Sequence, residues 1–185
     1  MSIERQSSVE TPKNWFRMAA LAILASVLSP SEAKAALPEC HDIGSNPAPT
    51  ESVRLDDGDE ATVECIVDGD TFDARLNDGR LLRIRLWGVD CPESRENEKC
   101  MKNGAASCQA EIQRGKKAKE LTKQLLAGGK ITLKGPFANI KNRKQAYVII
   151  NGKDLGLTLI GSCQCEDEYK HKRKSEYQNE AKKCK

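Results

Sequence analysis

The sequence predicts a small α+β domain that is mainly β: a five-stranded Greek-key barrel with one inserted helix and a C-terminal helix. Three observations predict this class. Strand-like segments follow one another at residues 61–67, 71–76 and 80–87. A helical period of apolar residues then fills residues 105–127, and two more strand-like segments follow it. Strands in a run, with one helix before the fourth, are the pattern of a small barrel.

The second and third predicted strands are joined by the sequence NDGR. Asp78-Gly79 is a strong signal for a hairpin with a two-residue turn. With that turn, Phe72 would lie opposite Arg85. Because side chains alternate along a strand and opposite residues share a face, this register fixes both faces of the hairpin. The expected polar face holds Asp70, Arg83, Arg85 and Trp87, and the expected apolar face holds Leu82, Ile84 and Leu86.

The inserted helix and the later elements follow from the apolar period and from turn residues. The positions that recur every three or four residues are Cys108, Ile112, Gly115, Ala118, Thr122 and Leu125. A Gly-Gly pair ends the helix, and strands follow at residues 130–134 and 145–150. A short apolar segment at residues 155–160 and a polar helix near residues 172–183 complete the chain. Together these elements predict a five-stranded barrel of the OB type.

The first 35 residues have the pattern of an export signal. Lys13 and Arg17 precede an apolar run at residues 18–28, and small residues at 33–35 offer a cleavage site. A membrane anchor is the alternative, but this run is shorter than the roughly 20 residues that a spanning helix needs. We therefore predict a signal peptide at residues 1–35, a secreted or periplasmic protein, and no stable membrane insertion once the signal is removed.

The remainder divides into an N-terminal arm or linker at residues 36–60 and a domain at residues 61–185. The arm is rich in proline, glycine and acidic residues and has no sustained apolar period. The net charge of the full chain is +3, and residues 170–185 contain seven Lys or Arg against two Glu. A basic tail of this kind can hold a polyanion by displacing counterions, or it can be a solvated helix face.

All eight cysteines follow the predicted signal. An even count in an exported chain predicts disulfides. We expect structural disulfides that tie down the loop containing Cys100 and Cys108 and that pin the tail through Cys184. Zinc is the alternative, because Cys163 and Cys165 are close together and His41 follows Cys40, but no CxxC pair occurs.

Carboxylates stand at one end of the predicted hairpin. Asp70 directly precedes the second strand, and Asp90 and Glu93 lie in a turn just past the third. We expect the three carboxylates to converge beside Arg85. Oxygen ligands of this kind suit a hard divalent cation, calcium first and magnesium less so. A guanidinium facing such a cluster suits a phosphodiester, because its planar fork matches phosphate oxygens.

Three spaced pieces of sequence resemble the staphylococcal nuclease, or thermonuclease, family. They are DGDT, RLWGVDCPE, and a basic residue before AYVIINGK, within a stretch of about residues 61–160. The resemblance implies an OB-type barrel and calcium-dependent hydrolysis of DNA and RNA. In that chemistry water attacks phosphorus and leaves a 3′-phosphate product.

The resemblance also implies a role for each matching acidic position. Asp70 and Asp90 match the family's calcium-binding aspartates. Cys91 stands where the family has a threonine whose backbone carbonyl binds the metal, and any residue supplies a carbonyl. Glu93 matches the carboxylate that orients or deprotonates the attacking water.

Two arginines complete the implied catalytic set. Arg85 matches one arginine that contacts the phosphate, and Arg143 matches the second when AYVIINGK is aligned. The family's usual lysine-tyrosine-glycine before this arginine reads IKN here. Lys141 or Lys144 are therefore alternatives for its charge, although a lysine lacks the planar fork.

Two further classes of function remain open from sequence. A non-catalytic OB-fold module would use its groove and basic tail to bind nucleic acid or a protein. A disulfide-stabilised structural domain of the cell envelope would explain the cysteines but leave the carboxylate cluster without a role. We expect the chain to be a monomer that acts on DNA and RNA.

Overall fold

The computed structural model describes residues 36–41, 44, 47, 53–168 and 173–184. The predicted signal peptide of residues 1–35 lies outside the described residues. Within the described part of the chain, no helix is long and apolar enough to cross a membrane.

Five long strands form a closed barrel of mixed strand direction, as the sequence predicted. The sheet order is β3-β2-β1-β5-β6-β7, and a parallel pairing between β3 and β6 closes the barrel. The strands are β1 Glu60–Asp68, β2 Thr71–Leu76, β3 Leu81–Leu86, β4 Val89–Asp90, β5 Lys130–Ile140, β6 Arg143–Ile150, β7 Lys153–Asp154 and β8 Glu166–Asp167. The short strands β4 and β8 pair separately, next to the end of β3.

The inserted helix and the C-terminal helix are both present. The helices are α1 Glu98–Met101, α2 Ala105–Leu126, α3 Leu155–Gly161 and α4 Lys174–Ala181, followed by a 3₁₀ turn at Lys182–Cys184. Of the six positions of α2 predicted from the apolar period, five are buried and Leu125 is half-buried. The five are Cys108, Ile112, Gly115, Ala118 and Thr122. The helical period therefore identified the face of α2 that packs on the barrel.

The predicted hairpin register between β2 and β3 is wrong by one residue. The amide of Leu76 donates to the carbonyl of Arg80 at 2.9 Å, so the loop has three residues rather than two. Gly79 closes this loop with φ of 88°. A three-residue loop that ends in a left-handed glycine is a common hairpin form, and the Asp-Gly signal does not distinguish it from the two-residue turn.

A one-residue slip exchanges the faces of a strand. Phe72 lies opposite Ile84 in the core, and not opposite Arg85. Arg85 lies opposite Thr71 instead. Asp70 is not on the strand face at all, because it sits in the turn before β2, where its carbonyl accepts from the amide of Leu86 at 2.9 Å.

The N-terminal arm packs on the barrel where it is described. Glu39 forms a parallel bridge with Ile66 of β1, whose pairing with β5 ends at Thr62. Val53 and Leu55 are buried in the same core as the barrel strands. The arm therefore covers part of the β1 edge that β5 leaves open.

Four disulfides use all eight cysteines, which confirms the expectation of structural disulfides. Two of them do what was expected, because Cys100–Cys108 ties the inserted segment to α2 and Cys163–Cys184 pins the tail. The others are Cys40–Cys65 and Cys91–Cys165.

The zinc alternative is not supported. Among the described residues, the ligand atoms of Cys40, Cys65 and Asp73 are the three that lie within 4.8 Å of one another. The two sulfurs of this group are bonded to each other, so they are not thiolate ligands.

The disulfide pattern predicts the outcome of a thiol titration. Protein folded under oxidising conditions and then denatured without reductant should show no free thiols, because all eight cysteines are paired. Reduction before denaturation should expose eight. Peptide mapping of the unreduced protein should recover the four pairs, and free thiols in the unreduced sample would contradict the structure.

Candidate metal and phosphate site

Asp70 is the most buried acidic group of the candidate site, with 3 % of its surface exposed. One carboxylate oxygen accepts from the Thr71 hydroxyl at 2.8 Å and from Arg85 Nη1 at 2.9 Å. The other accepts from the Cys91 amide at 3.0 Å. Burial raises the pKa of Asp70, and the charge of Arg85 and these hydrogen bonds oppose that rise without cancelling it.

Arg85 connects the two predicted metal-binding aspartates. Its Nη1 bonds to Asp70, and its Nη2 lies 3.0 Å from Asp90 Oδ1. Burial works to lower the pKa of Arg85, but the charges of Asp70 and Asp90 more than offset it, so the pKa is raised. The guanidinium is therefore permanently charged and fixed between two carboxylates. The Asp70 carboxylate is buried, whereas the Asp90 side chain is 59 % exposed.

The loop that carries Asp90 and Cys91 is held by the C-terminal segment. Asp90 pairs with Glu166 across the short strands β4 and β8. The amide of Glu168 donates to the carbonyl of Gly88 at 3.0 Å. The Cys91–Cys165 disulfide adds a covalent link across a separation of 74 residues. The chain between Gly88 and Cys91 is thus fixed on one side by β8 and on the other by the Asp70 turn.

Helix α2 supports both acidic segments through one face of small residues. A Cβ at Gly115 would meet backbone atoms of Glu93 and lie 2.6 Å from the carbonyl oxygen of Pro92. One turn further on, Ala118 packs closely against Gly69. A Cβ added at Gly69 would lie only 2.9 Å from the Cβ of Ala118. The Thr122 hydroxyl donates to the carbonyl of Gly69 at 2.6 Å. Small residues at this spacing on a helix let two loops approach its backbone closely.

A cleft of about 130 Å³ opens beside Asp90 and Glu93. Its lining residues are Asp90, Cys91, Pro92, Glu93, Glu111, Arg114 and Glu166. Sequence reasoning missed Glu111 and Arg114 of α2 and Glu166 of β8. The helical spacing placed Glu111 and Arg114 beside Ile112 and Gly115, but nothing in the sequence showed which end of α2 meets the acidic loop.

The three predicted carboxylates converge less closely than expected. Asp90 and Glu93 line one cleft, and Asp70 reaches Asp90 through Arg85. The three do not form a group whose oxygens all lie within 4.8 Å of one another. Asp70 and Asp90 bond to different nitrogens of the same guanidinium, which keeps their carboxylates apart.

Arg143 begins β6, which runs parallel to β3. Gln145 is the direct partner of Arg85 in this pairing. Since alternate residues share a face, Arg143 and Arg85 lie on the same face of the barrel wall. Within the described part of the chain, Arg143 makes no ion pair.

The two lysine alternatives stand elsewhere. Lys144 follows Arg143 on the opposite face, with its Nζ 2.7 Å from Asn139 Oδ1, and burial lowers its pKa. Lys141 occupies the turn between β5 and β6, with φ of 53°. Of the three basic residues, Arg143 is the one that the strand register places on the face of Arg85.

The donor set of the acidic loops suits a hard cation. Asp90 is exposed, and one of its oxygens is the partner of Arg85. The Cys91 sulfur is in a disulfide and cannot bind a metal as a thiolate. The backbone carbonyl of Cys91 is therefore the group with which this residue could bind a cation. Asp70 retains a raised pKa despite its hydrogen bonds, so its buried charge is not fully compensated. A divalent cation is the kind of group that would compensate it.

Barrel and site together define the class of this protein: an OB-type barrel whose wall carries an arginine fixed between two aspartates, beside an acidic cleft. The family model described as staphylococcal nuclease homologue matches residues 83–185, which is more than half of the chain. The chain belongs to the staphylococcal nuclease family. A comparison with curated proteins gave no match. Five of the six candidate positions lie inside the matched range, namely Arg85, Asp90, Cys91, Glu93 and Arg143, and Asp70 lies before it.

The contact between α2 and the acidic loop predicts the effect of Gly115→Ala. Alanine in a helix interior normally stabilises by about 1 kcal/mol relative to glycine. Here the added methyl would meet the backbone of Pro92 and Glu93, which cannot rotate away as a side chain can. We expect the free energy of unfolding in urea to fall by about 1–3 kcal/mol.

Gly161→Ala is a matched control for that variant. Its Cβ would meet Oε1 of Glu180 at 2.5 Å, and this carboxylate is the end of a flexible side chain. We expect a change of less than about 1 kcal/mol in the free energy of unfolding. If Gly115→Ala is as stable as the wild type, α2 does not fix the position of the acidic loop.

The Cys91–Cys165 disulfide predicts a local effect when it is removed. Replacing both cysteines by alanine should lower the free energy of unfolding by about 4 kcal/mol, from loop closure in the unfolded chain. Hydrogen exchange of residues 88–94, followed by mass spectrometry under native conditions, should become faster, because the link from Cys91 to the C-terminal segment is lost.

Removal of Cys163–Cys184 is the comparison. That disulfide closes a loop with a separation of 21 residues and should cost about 3 kcal/mol. It is not attached to the acidic loop, so exchange at residues 88–94 should stay at the wild-type rate. Equal acceleration in the two variants would mean that Cys91–Cys165 acts only through global stability.

Proposed function

We propose that this protein is an exported, calcium-dependent nuclease that hydrolyses phosphodiester bonds of DNA and RNA. The observation that carries the proposal is Arg85, a largely buried guanidinium held between Asp70 and Asp90. A permanently charged arginine fixed by two carboxylates is a preorganised partner for phosphate oxygens. Membership of the staphylococcal nuclease family supports the same reaction class.

Arg85 and Arg143 would contact the phosphate. The first is positioned by its ion pairs, and the second is on the same face of the wall. Guanidinium groups bind phosphate through paired hydrogen bonds and stabilise the extra negative charge of the transition state. Because the interaction strengthens as charge develops, removal of either arginine is expected to affect the chemical step.

Glu93 would orient or deprotonate the attacking water. It lines the cleft next to Asp90 and is half-buried, so water can reach it. Its backbone rests on α2 at Gly115, which limits how far the carboxylate can move. A general base must be held within hydrogen-bond distance of the water that it activates. The contact with Gly115 would hold the Glu93 backbone in such a fixed position.

Asp70, Asp90 and the carbonyl of Cys91 would hold calcium. Bound there, the ion supplies positive charge that neutralises phosphate and orients water. Calcium suits these residues better than magnesium, because Asp70 and Asp90 are held apart by Arg85 and calcium accepts longer and less regular oxygen geometry.

Export is the proposed setting of this activity. Four disulfides are what a protein in an oxidising compartment can keep, and cytosolic proteins rarely do. The signal-like leader points the same way. We therefore propose a secreted or periplasmic monomer with DNA and RNA as substrates.

The proposed mechanism predicts the effect of Glu93→Gln. The amide cannot accept a proton from water, so kcat on single-stranded DNA should fall at least a hundredfold. The free energy of unfolding should stay close to the wild-type value, because the two side chains have the same shape. Glu120→Gln, on the exposed side of α2, should leave both quantities unchanged and serves as the matched control. Wild-type cleavage by Glu93→Gln would contradict the assigned role.

Metal dependence separates the nuclease from a non-catalytic binding module. Single-stranded DNA incubated with the protein should be cut with calcium, less with magnesium, and not with a chelator. Binding without cleavage in every metal condition would favour the module. The phosphate terminus of the products, identified by mass spectrometry, tests the expected 3′-phosphate.

A further inference from the structure

Basic side chains surround Glu39 of the N-terminal arm. Lys119 Nζ lies 2.7 Å from Glu39 Oε2, and Lys123 Nζ lies 3.4 Å from Oε1. Arg95 Nη2 and His41 Nδ1 lie 3.5 Å and 3.2 Å from Oε2. The hydrogen bond from Lys119 is the main cause that lowers the pKa of Glu39, so its carboxylate is charged. Among the described residues, three permanent positive charges therefore face one negative charge.

A cleft of about 200 Å³ lies next to this cluster. Its lining residues are Cys40, His41, Gly44, Val67, Arg83 and Arg95. The described residues that line it include no carboxylate. Asp73, the partner of Arg83 at 2.7 Å, has a fully buried side chain. The cleft thus presents two guanidinium groups and an imidazole to whatever enters it.

The cleft lies along the same stretch of barrel wall as the proposed catalytic site. Arg83 precedes Arg85 by two residues on the same face of β3. Arg95 follows Glu93 by two residues, in the loop whose Ser94 hydroxyl bonds to Asp68. A strand of nucleic acid held at Arg85 would therefore pass close to these donors.

We propose that His41, Arg83 and Arg95 form a second phosphate-binding subsite, which holds a flanking phosphate of the nucleic acid strand whose scissile phosphate lies at Arg85. This subsite rests on the proposed function, because it gives the neighbouring cleft to the same substrate. The arm contributes His41 and is fixed to the barrel by Cys40–Cys65, so the subsite is preformed. It supplies affinity for longer substrates and takes no part in bond cleavage.

The charge balance distinguishes a subsite from a purely structural cluster. Ion pairs that only anchor an arm are most stable when their charges balance, since unpaired charge near the protein interior is costly. Here Lys119 has 6 % and Lys123 has 19 % of its side chain exposed, and both share one carboxylate with Arg95. The excess positive charge is what a phosphate would offset.

The test measures binding in the absence of cleavage. A fluorescein-labelled eight-nucleotide oligothymidylate and a labelled dinucleotide with a single phosphodiester are titrated in calcium with the full protein carrying Glu93→Gln, so that the Arg85 site can be occupied without cleavage. Binding is followed by fluorescence anisotropy, and each variant below is made in this background. Arg95→Gln should weaken binding of the octamer about tenfold, the loss of one charge-assisted hydrogen bond. The association constant K of the octamer should also depend less on salt: the magnitude of the slope of log K against log salt concentration should decrease by about one. Dinucleotide affinity should stay unchanged, because its one phosphate occupies the Arg85 site.

Two further variants make the result specific. Arg95→Lys keeps the charge without the fork and should recover part of the octamer affinity. Arg80→Gln removes an exposed arginine at the hairpin loop, whose partner is Asp78, and should change neither affinity. Circular dichroism of each variant establishes that it is folded.

The outcomes separate this proposal from the nuclease proposal. Unchanged octamer affinity in Arg95→Gln, or an equal loss for octamer and dinucleotide, overturns the subsite. If the wild type cuts no substrate but Arg95→Gln still loses only octamer affinity, the subsite stands and the nuclease proposal fails. If the wild type cuts DNA and the affinities do not differ, the nuclease proposal stands and the subsite fails.

Discussion

The candidate site depends on the close approach of α2 to two acidic segments. Gly115 and Ala118 lie on one side of the helix, with Thr122 one turn beyond, and together they admit the backbone of the Glu93 loop and of the turn before β2. A larger residue at either of the first two positions would separate the helix from a loop. Because one rigid helix contacts both segments, it fixes their spacing relative to each other. The barrel then needs to supply only Arg85, from the adjacent strand.

The electrostatics of the site favour a cation before an anionic substrate. Among the described residues that line the cleft there are four carboxylates and one arginine: Asp90, Glu93, Glu111, Glu166 and Arg114. Arg85 is already shared between Asp70 and Asp90. Under the proposed function, a phosphodiester would meet net negative charge here unless a divalent ion were bound first. The described residues that line the cleft beside Arg95 have the opposite balance, so under the subsite proposal the substrate has a second point of attachment that needs no metal.

Much of the fold could be predicted from the sequence, because its signals are local. Strand alternation, the helical period of α2 and the glycine stop each involve neighbouring residues, and the structure confirms the barrel and both helices. The signal-like leader and an even cysteine count were enough to predict disulfides. Their pairing was not predictable, since the partner of Cys91 lies 74 residues away and depends on where β8 runs. The same long-range information was missing for Glu111, Arg114 and the packing of the arm.

The hairpin shows why a wrong register still placed Arg85 beside Asp70. The sequence predicted that Arg85 and Asp70 lie close together because both would be on one face of the hairpin. The observed register between β2 and β3 differs by one residue, so that argument no longer holds. The contact between Arg85 and Asp70 forms because Asp70 belongs to the turn before β2. The alternation of side chains along a strand does not determine the direction of its side chain there. Its carbonyl accepts from Leu86 next to Arg85, so the backbone of the turn ends beside the arginine. A long guanidinium side chain then spans the remaining distance to both Asp70 and Asp90. Proximity at the end of a hairpin is therefore predictable from sequence even when the face of each residue is not, and the distances within a site need the elements that pack on it.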